Sequence, residues 1–345
     1  MSWLYEPEPS QNDLDESDVR VRPNPKGNKP RTKKRPEYFD APLGMVLGVD
    51  MGRYSVLLQA DNRIINATMG KELRKHGAIV GDIVALAGDT SATEGALARI
   101  VRIEPRTTLL RRSADDSDQV EREIVANATQ MVIVVAAANP EPRTRLVDRY
   151  LAAAFDAGLQ PILVITKTDL ANPDDFLGNF AGLSIPVVLN RSDKPAISQF
   201  RDLLSDEISV FVGHSGVGKS TLVNALVPEA MRVTGGVNAV TGRGRHTSSS
   251  VRAIALDESY GDAWIIDTPG VRSFGLGHVK PENILRSFED LWKIIETCPR
   301  DCSHSVDAPD CELDVAIESG VLGASGATRV DSLRRLIASA AAHSE

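Results

Sequence analysis

Several short stretches of this 345-residue chain hold residue types whose chemistry depends on spacing. The first, GHSGVGKS at 213–220, fits Gly-x4-Gly-Lys-Ser. In that pattern Gly213, Gly216 and Gly218 let backbone N–H groups wrap phosphate oxygens. Lys219 reaches the β and γ oxygens, and the Ser220 hydroxyl ligates magnesium. The apolar VFV before it and the helical TLVNAL after it supply the strand–loop–helix setting that such a loop needs. The loop by itself calls for a nucleotide without choosing ATP or GTP.

The second is IIDTPG at 265–270. Asp267 at a strand end can hold magnesium through water, and the Gly270 N–H can meet the γ-phosphate, the parts of a switch-type NTPase. Between the two stretches lies TGRGRHTSSS, 241–250, where Thr247 is placed to give magnesium a second hydroxyl when the γ-phosphate is present. No glutamine follows DTPG to orient an attacking water. His246 either takes that task or contacts RNA or solvent. A further segment, VITKTDL at 164–170, reads as a base-recognition element. The Asp169 carboxylate can accept two hydrogen bonds from guanine N1–H and its 2-amino group, which adenine does not offer, and the Lys167 stem can cover the ring. Thr166 stands where Asn is usual, so a hydroxyl takes over part of that residue's tethering. The alternative is a Lys and an Asp on an ordinary strand–helix loop. This element precedes the phosphate loop, the reverse of the usual order.

The last is CPRDCSHSVDAPDC. All three cysteines, Cys298, Cys302 and Cys311, lie here with His304, and such a set can close a tetrahedral structural zinc site. Three reduced thiols beside a surface histidine are the other reading. A helix begun by Pro281 places Leu285, Phe288 and Trp292 on one face, as core.

These residues need elements to hold them. Apolar residues are 42% and charged residues 25% of the chain, an ordinary globular profile. The longest apolar run, Met131–Ala138, is far short of the roughly 20 residues of a membrane helix. MSWLYEPEPS has no signal-peptide character, so a cytoplasmic protein without a membrane partner is expected. The net charge of −8 does not argue for nucleic acid, but its distribution is uneven. Residues 6–18 carry six acids, and Arg20–Arg35 carries eight basic residues and no acid. That tail is expected to be disordered, either as a solvating segment or as an arm along a phosphate backbone. Five short strands follow within 43–104, at Gly44–Val49, Tyr54–Ala60, Arg63–Thr68, Ile83–Leu86 and Leu97–Ile103. They predict a small barrel, an OB-fold ahead of an SH3-like one. Arg99, Arg102, Arg106, Arg111 and Arg112 form either a backbone-contacting edge or solvent-facing side chains. From about residue 123 strands and helices alternate, the pattern of an α/β domain with a mostly parallel sheet.

TKTD, GHSGVGKS, GRGRHT and DTPG in that order, with strands before them and a Cys/His cluster behind, resemble the circularly permuted GTPases. The chain is most similar to the ribosome-small-subunit-dependent GTPase A family, RsgA-type, over about residues 41–336. The resemblance implies a multidomain protein. Its parts would be a disordered 1–40 with a basic arm, an OB-fold barrel at 41–112, a circularly permuted α/β P-loop GTPase domain at 113–278, and an α-helical zinc-binding domain at 279–345.

The family's guanine reader falls on Thr166, Lys167, Thr168 and Asp169. Its phosphate loop falls on Gly213, His214, Ser215, Gly216, Val217, Gly218, Lys219, Ser220 and Thr221, its switch threonine on Thr247, and its DTPG on Asp267–Gly270. A second base-contacting loop is implied near Asn190–Ser192, although NRS departs from the usual Ser-Ala. The zinc ligands would be Cys298, Cys302, His304 and Cys311, with spacers that differ from the family's. The implied cofactors are GTP/GDP, Mg²⁺ and one Zn²⁺. The implied partners are the 30S ribosomal subunit and its 16S rRNA, in late maturation of the subunit, with hydrolysis stimulated by the ribosome and a monomer when off it. Because the chain runs from DTPG straight into the C-terminal part, nucleotide state is expected to pass through Phe274–Val279.

Overall fold

A computed structural model describes residues 38–73, 77–93, 95–113, 121–227, 251–268, 279–324 and 326–341. The N-terminal tail, the GRGRHT segment with His246 and Thr247, Gly270, and the 274–278 connection lie outside the described residues.

Five strands open the described chain: β1 (Leu43–Asp50), β2 (Arg53–Leu58), β3 (Ile64–Met69), β4 (Ile83–Gly88) and β5 (Ala98–Ile103). Their pairing closes on itself. β1 runs antiparallel to both β2 and β4, β2 to β3, β4 to β5, and β3 lies parallel to β5. This closed order selects the OB-type barrel over the SH3-like one. Alternate residues point inward, so Val46, Val56, Ile65, Ala67, Val84, Leu86 and Ile100 fill the interior.

Two strands, β6 (Leu109–Ser113) and β7 (Glu121–Ala126), form a separate antiparallel pair. The barrel is tied to β7 at Gly81, whose positive φ of 89° brings its backbone against β7. A Cβ there would lie 1.9 Å from the Ala126 carbonyl oxygen, so only glycine fits. Beside it Arg106 spans the joint. Its guanidinium forks onto the fully buried Asp82 at 2.7 and 2.9 Å and reaches Glu123 at 2.6 Å. Arg102 is likewise engaged, with Glu104 and the Tyr38 carbonyl. The Arg106 charge is therefore spent inside the fold, whereas the Arg102 pair stays partly open to solvent.

The α/β part has β8 (Gln130–Ala136), β9 (Gln160–Thr166), β10 (Val187–Leu189), β11 (Ile208–Val212), β12 (Arg252–Ala255) and β13 (Trp264–Asp267). Spatial order is β10-β9-β8-β11-β13-β12, parallel except for β12. From Met131 onward β8 is apolar because both of its faces are covered. Met131, Ile133 and Val135 pack toward α1 (Thr144–Asp156), whereas Val132, Val134 and Ala136 pack toward α3 (Ile197–Leu204) and α4 (Lys219–Leu226). A short α2 (Asp174–Gly178) follows β9. β12 also pairs with β1 at Arg252 and Gly48, which joins barrel and sheet.

The C-terminal part is helical: α5 (Pro281–Arg286), α6 (Glu289–Ile295), α7 (Glu312–Glu318) and α8 (Gly326–Ala341). The single helix expected from Pro281 is in fact two. Ser287 turns its hydroxyl back onto the Asn283 carbonyl, and Phe288 leaves helical geometry at φ −108°, ψ 73°. Leu285 and Phe288 are buried as expected; Trp292 is only partly covered and donates to Glu296. These helices share one apolar cluster with α1. Among the described residues no helix is long and apolar enough to cross a membrane.

Candidate functional site

Strand β11 delivers the phosphate loop and α4 receives it. Gly213 approaches β8 so closely that a Cβ would sit 2.5 Å from the Val134 carbonyl oxygen. Gly216 and Gly218 have φ of 83° and 90°, left-handed values that turn successive N–H groups inward and start α4 at Lys219. Val217 is buried and anchors the loop; Ser215, Ser220 and Thr221 are exposed. The His214 ring nitrogen Nδ1 lies 3.0 Å from the Ser215 carbonyl. Beneath the loop is a narrow cavity of about 40 Å³, lined by Val134, Leu146, Tyr150, His214 and Val217 among others.

The Lys219 ammonium is ion-paired to Asp267 at the end of β13. The neighbouring Thr268 is buried and donates to the Phe211 carbonyl at 2.7 Å, which locks the start of DTPG to the strand that carries the loop. Lysine and carboxylate thus converge where β and γ phosphates and a divalent ion would be held.

The TKTD segment ends β9 two strands away, and it is bonded to the same loop. Buried Thr166 donates its hydroxyl to the Val217 carbonyl, with the Val135 carbonyl at 3.3 Å. Lys167, at a positive φ of 56°, donates to the Gly216 carbonyl at 2.8 Å and to the Asn139 carbonyl. Its ammonium is fixed by backbone, which leaves the stem as a platform. Asp169 is exposed beyond it. Thr168 reaches the Asn190 carbonyl at 3.5 Å.

In the loop near Asn190–Ser192, Asn190 is buried and its side chain accepts from the Ala196 N–H, a structural use. Arg191 is exposed and forks onto Asp193 at 2.9 and 2.8 Å. That pairing, and then the field of Asp169, raises its pKa. Asn139 was not legible as part of the site, because its partner Lys167 is 28 residues on and an Asn-Pro turn signals only a loop. His246, Thr247 and Gly270 lie outside the described residues.

A second constellation lies in the C-terminal part. One ligand atom each from Cys298, Cys302, His304 and Cys311 falls within 4.8 Å of the others. His304 Nδ1 is 3.9 Å from the Cys311 sulfur. A tetrahedral zinc centre puts such atoms roughly 3.6–3.8 Å apart, so the donor set and spacing fit. Burial pushes the Cys298 thiol up to about 11, its backbone hydrogen bond from Glu312 opposing and the nearby Cys311 and Cys302 adding to the rise. Burial, and secondarily Arg334, lowers the pKa of His304, which favours the neutral, ligating ring.

Comparison with known proteins agrees with this geometry. The family model described as RsgA GTPase matches residues 103–277. The chain is 36% identical to the small ribosomal subunit biogenesis GTPase RsgA of Nitrosospira multiformis, over 90% of this chain and 95% of that protein. It is 32% identical to the RsgA of Shewanella oneidensis, over 89% and 87%. Its fold is similar to the crystal structure of YjeQ from Thermotoga maritima, with TM-score 0.64 and 24% identity over 87% of this chain and 98% of that one. It is also similar to YloQ, described as a circularly permuted GTPase, with TM-score 0.62 and 24% identity over 89% and 97%.

Proposed function

We propose a function from the premise that this chain belongs to the RsgA GTPase family. It is a GTP hydrolase, yielding GDP and phosphate, on a circularly permuted fold. From its relatives we carry over a role in biogenesis of the small ribosomal subunit. The finer reading is late maturation of the 30S subunit, with contact to 16S rRNA, hydrolysis stimulated by the ribosome, and a cytoplasmic monomer between encounters. The parts at 41–112, 113–278 and 279–345 would act as RNA-binding barrel, GTPase domain and zinc-binding helical domain.

One observation carries the guanine reading: the TKTD segment is hydrogen-bonded to the phosphate loop through Thr166 to Val217 and Lys167 to Gly216. Those bonds hold the segment at 166–169 beside the loop at 213–220 despite their inverted order, which supports a shared nucleotide site. In it Asp169 accepts from the guanine edge, the Lys167 stem covers the ring, and the N–H groups of 213–220 wrap the phosphates. Lys219 exchanges its Asp267 partner for phosphate oxygens. Ser220 and Thr247 would ligate Mg²⁺ and Asp267 would hold it through water; when bound, the ion would supply positive charge against that developing on the phosphates. His246 orients the attacking water. Cys298, Cys302, His304 and Cys311 would hold Zn²⁺, which staples the loop and does no chemistry.

The test is phosphate release from GTP and from ATP, with and without purified 30S subunits. The expected result is GTP-selective hydrolysis, slow alone and much faster with subunits. Equal use of ATP would remove the role given to Asp169, and indifference to subunits would remove the partner while leaving the enzyme.

A further inference from the structure

Arg334 and Arg335 are consecutive on α8, and they hold two different parts of the molecule. Arg334 donates to the backbone carbonyl of His304 at 3.0 Å and forks onto Asp314 at 2.9 and 2.8 Å. It thereby fixes the left-handed His304, whose φ is 54°, inside the Cys/His loop, and brings a cation toward a cluster of three thiols. Arg335, a turn of about 100° further round the helix, donates to Asp148 on α1 at 2.8 Å and to the Asn179 carbonyl at 2.8 Å.

Asp148 is buried, and among the described residues no protein donor reaches its Oδ1. The clasp on α1 is therefore charged but only half satisfied. Such a contact depends on the placement of its partner helix more than an apolar one does. A second tie lies at the other end of α1, where Asp156 accepts from the Lys280 N–H at 3.0 Å and from the Asn283 amide at 2.9 Å. α1 itself begins against the phosphate loop, since Leu146 and Val147 line the cavity under His214 and Val217.

We infer that α8 is a strut that couples metal loading of the Cys298, Cys302, His304 and Cys311 centre to docking of the C-terminal helices on α1, with Arg334 and Arg335 as its positioning residues. This rests on the metal reading proposed above. The coupling is reciprocal by thermodynamic necessity: whatever loosens the Asp148 clasp weakens metal binding, and removing metal loosens the clasp. The route runs through α8 and α1 rather than through the chain that follows DTPG.

The experiment uses the full chain. Zinc content is measured first, then zinc affinity by competition with a chromogenic chelator for unaltered protein, Arg335→Met and Arg334→Lys. Arg335→Met leaves the buried Asp148 carboxylate without its cation and touches no ligand, yet it is expected to weaken zinc about tenfold, as is Arg334→Lys. Hydrogen exchange on unaltered protein, with and without chelator, gives a readout that needs no variant. Zinc removal is expected to speed exchange across 326–341 and 144–156 and to leave the barrel strands unchanged. Unchanged zinc affinity in Arg335→Met, or faster exchange confined to 298–324, overturns the coupling. Protein prepared in zinc that holds no stoichiometric metal overturns the metal reading beneath it.

Discussion

The Thr166 hydroxyl donates to the carbonyl of Val217, so the end of β9 is bonded directly to the loop at 213–220. The oxygen does what a longer amide side chain would do, reaching a loop whose turn depends on the left-handed Gly218 at φ 90°. Thr166→Val keeps the shape and removes the donor, leaving buried carbonyls unpaired at about 1–3 kcal/mol. Affinity for both GDP and GTP should fall roughly 5- to 100-fold, read by titration with a fluorescent guanine nucleotide. Unchanged affinity would mean that the bond is incidental to binding.

Asp169 is exposed and its carboxylate is free to accept from a base edge. Asp169→Asn replaces one acceptor with a donor, which opposes the 2-amino group of guanine and suits the 2-oxo group of xanthine. GTP hydrolysis at limiting substrate should drop by roughly 10²-fold or more, and XTP should become the better substrate. Competition of GTP, XTP and ATP against a labelled nucleotide measures this. Retention of GTP preference would place the base elsewhere.

The local parts of this molecule were legible in its residues, and the long-range parts were not. Alternation in 43–103 and the continuous run of β8 carry barrel and parallel sheet because burial leaves its period in the chain. GHSGVGKS and the cysteine spacing are legible for the same reason: loop geometry demands those residues within a few positions. Arg106 gave no such sign. It looked like surface basic charge, but its partner Asp82 is 24 residues back. Arg335 is further still from Asp148, at 187 residues. The break of the 281–295 helix at Phe288 left no mark in the apolar pattern, which runs on across it.

The Arg106 joint yields a stability prediction. Arg106→Met leaves the Asp82 carboxylate buried without its cation, at a cost of about 3–5 kcal/mol. Glu123 is 43% exposed, so Glu123→Gln should cost only about 0–1 kcal/mol. The double change Asp82→Asn with Arg106→Met should recover much of the first loss. Thermal melting ranks the three; equal effects of Arg106→Met and Glu123→Gln would show that the joint is not held by Asp82.

Asp148 gives the pH dependence. Burial raises its carboxyl above the ordinary value of 3.8, with Arg335 pulling it partly back. The folded state therefore binds this proton more tightly than the unfolded chain. Its ionisation costs stability in full above the folded value, and the cost disappears as pH falls below the ordinary one. Asp314 has the opposite sign, because hydrogen bonds from Arg334 lower its pKa: its stabilisation is present above the ordinary value and is lost as pH falls through the folded one. Asp148→Asn removes only the first effect. From about pH 7 to about pH 4, unaltered protein should gain stability relative to Asp148→Asn, in urea denaturation at matched zinc. Asp314→Asn should show the reverse trend against the same reference, but only below about pH 4, because there the unaltered protein loses an advantage on acidification. Parallel pH profiles for unaltered protein and Asp148→Asn would mean that Asp148 titrates as an ordinary exposed carboxylate, and that the clasp with Arg335 is open in solution.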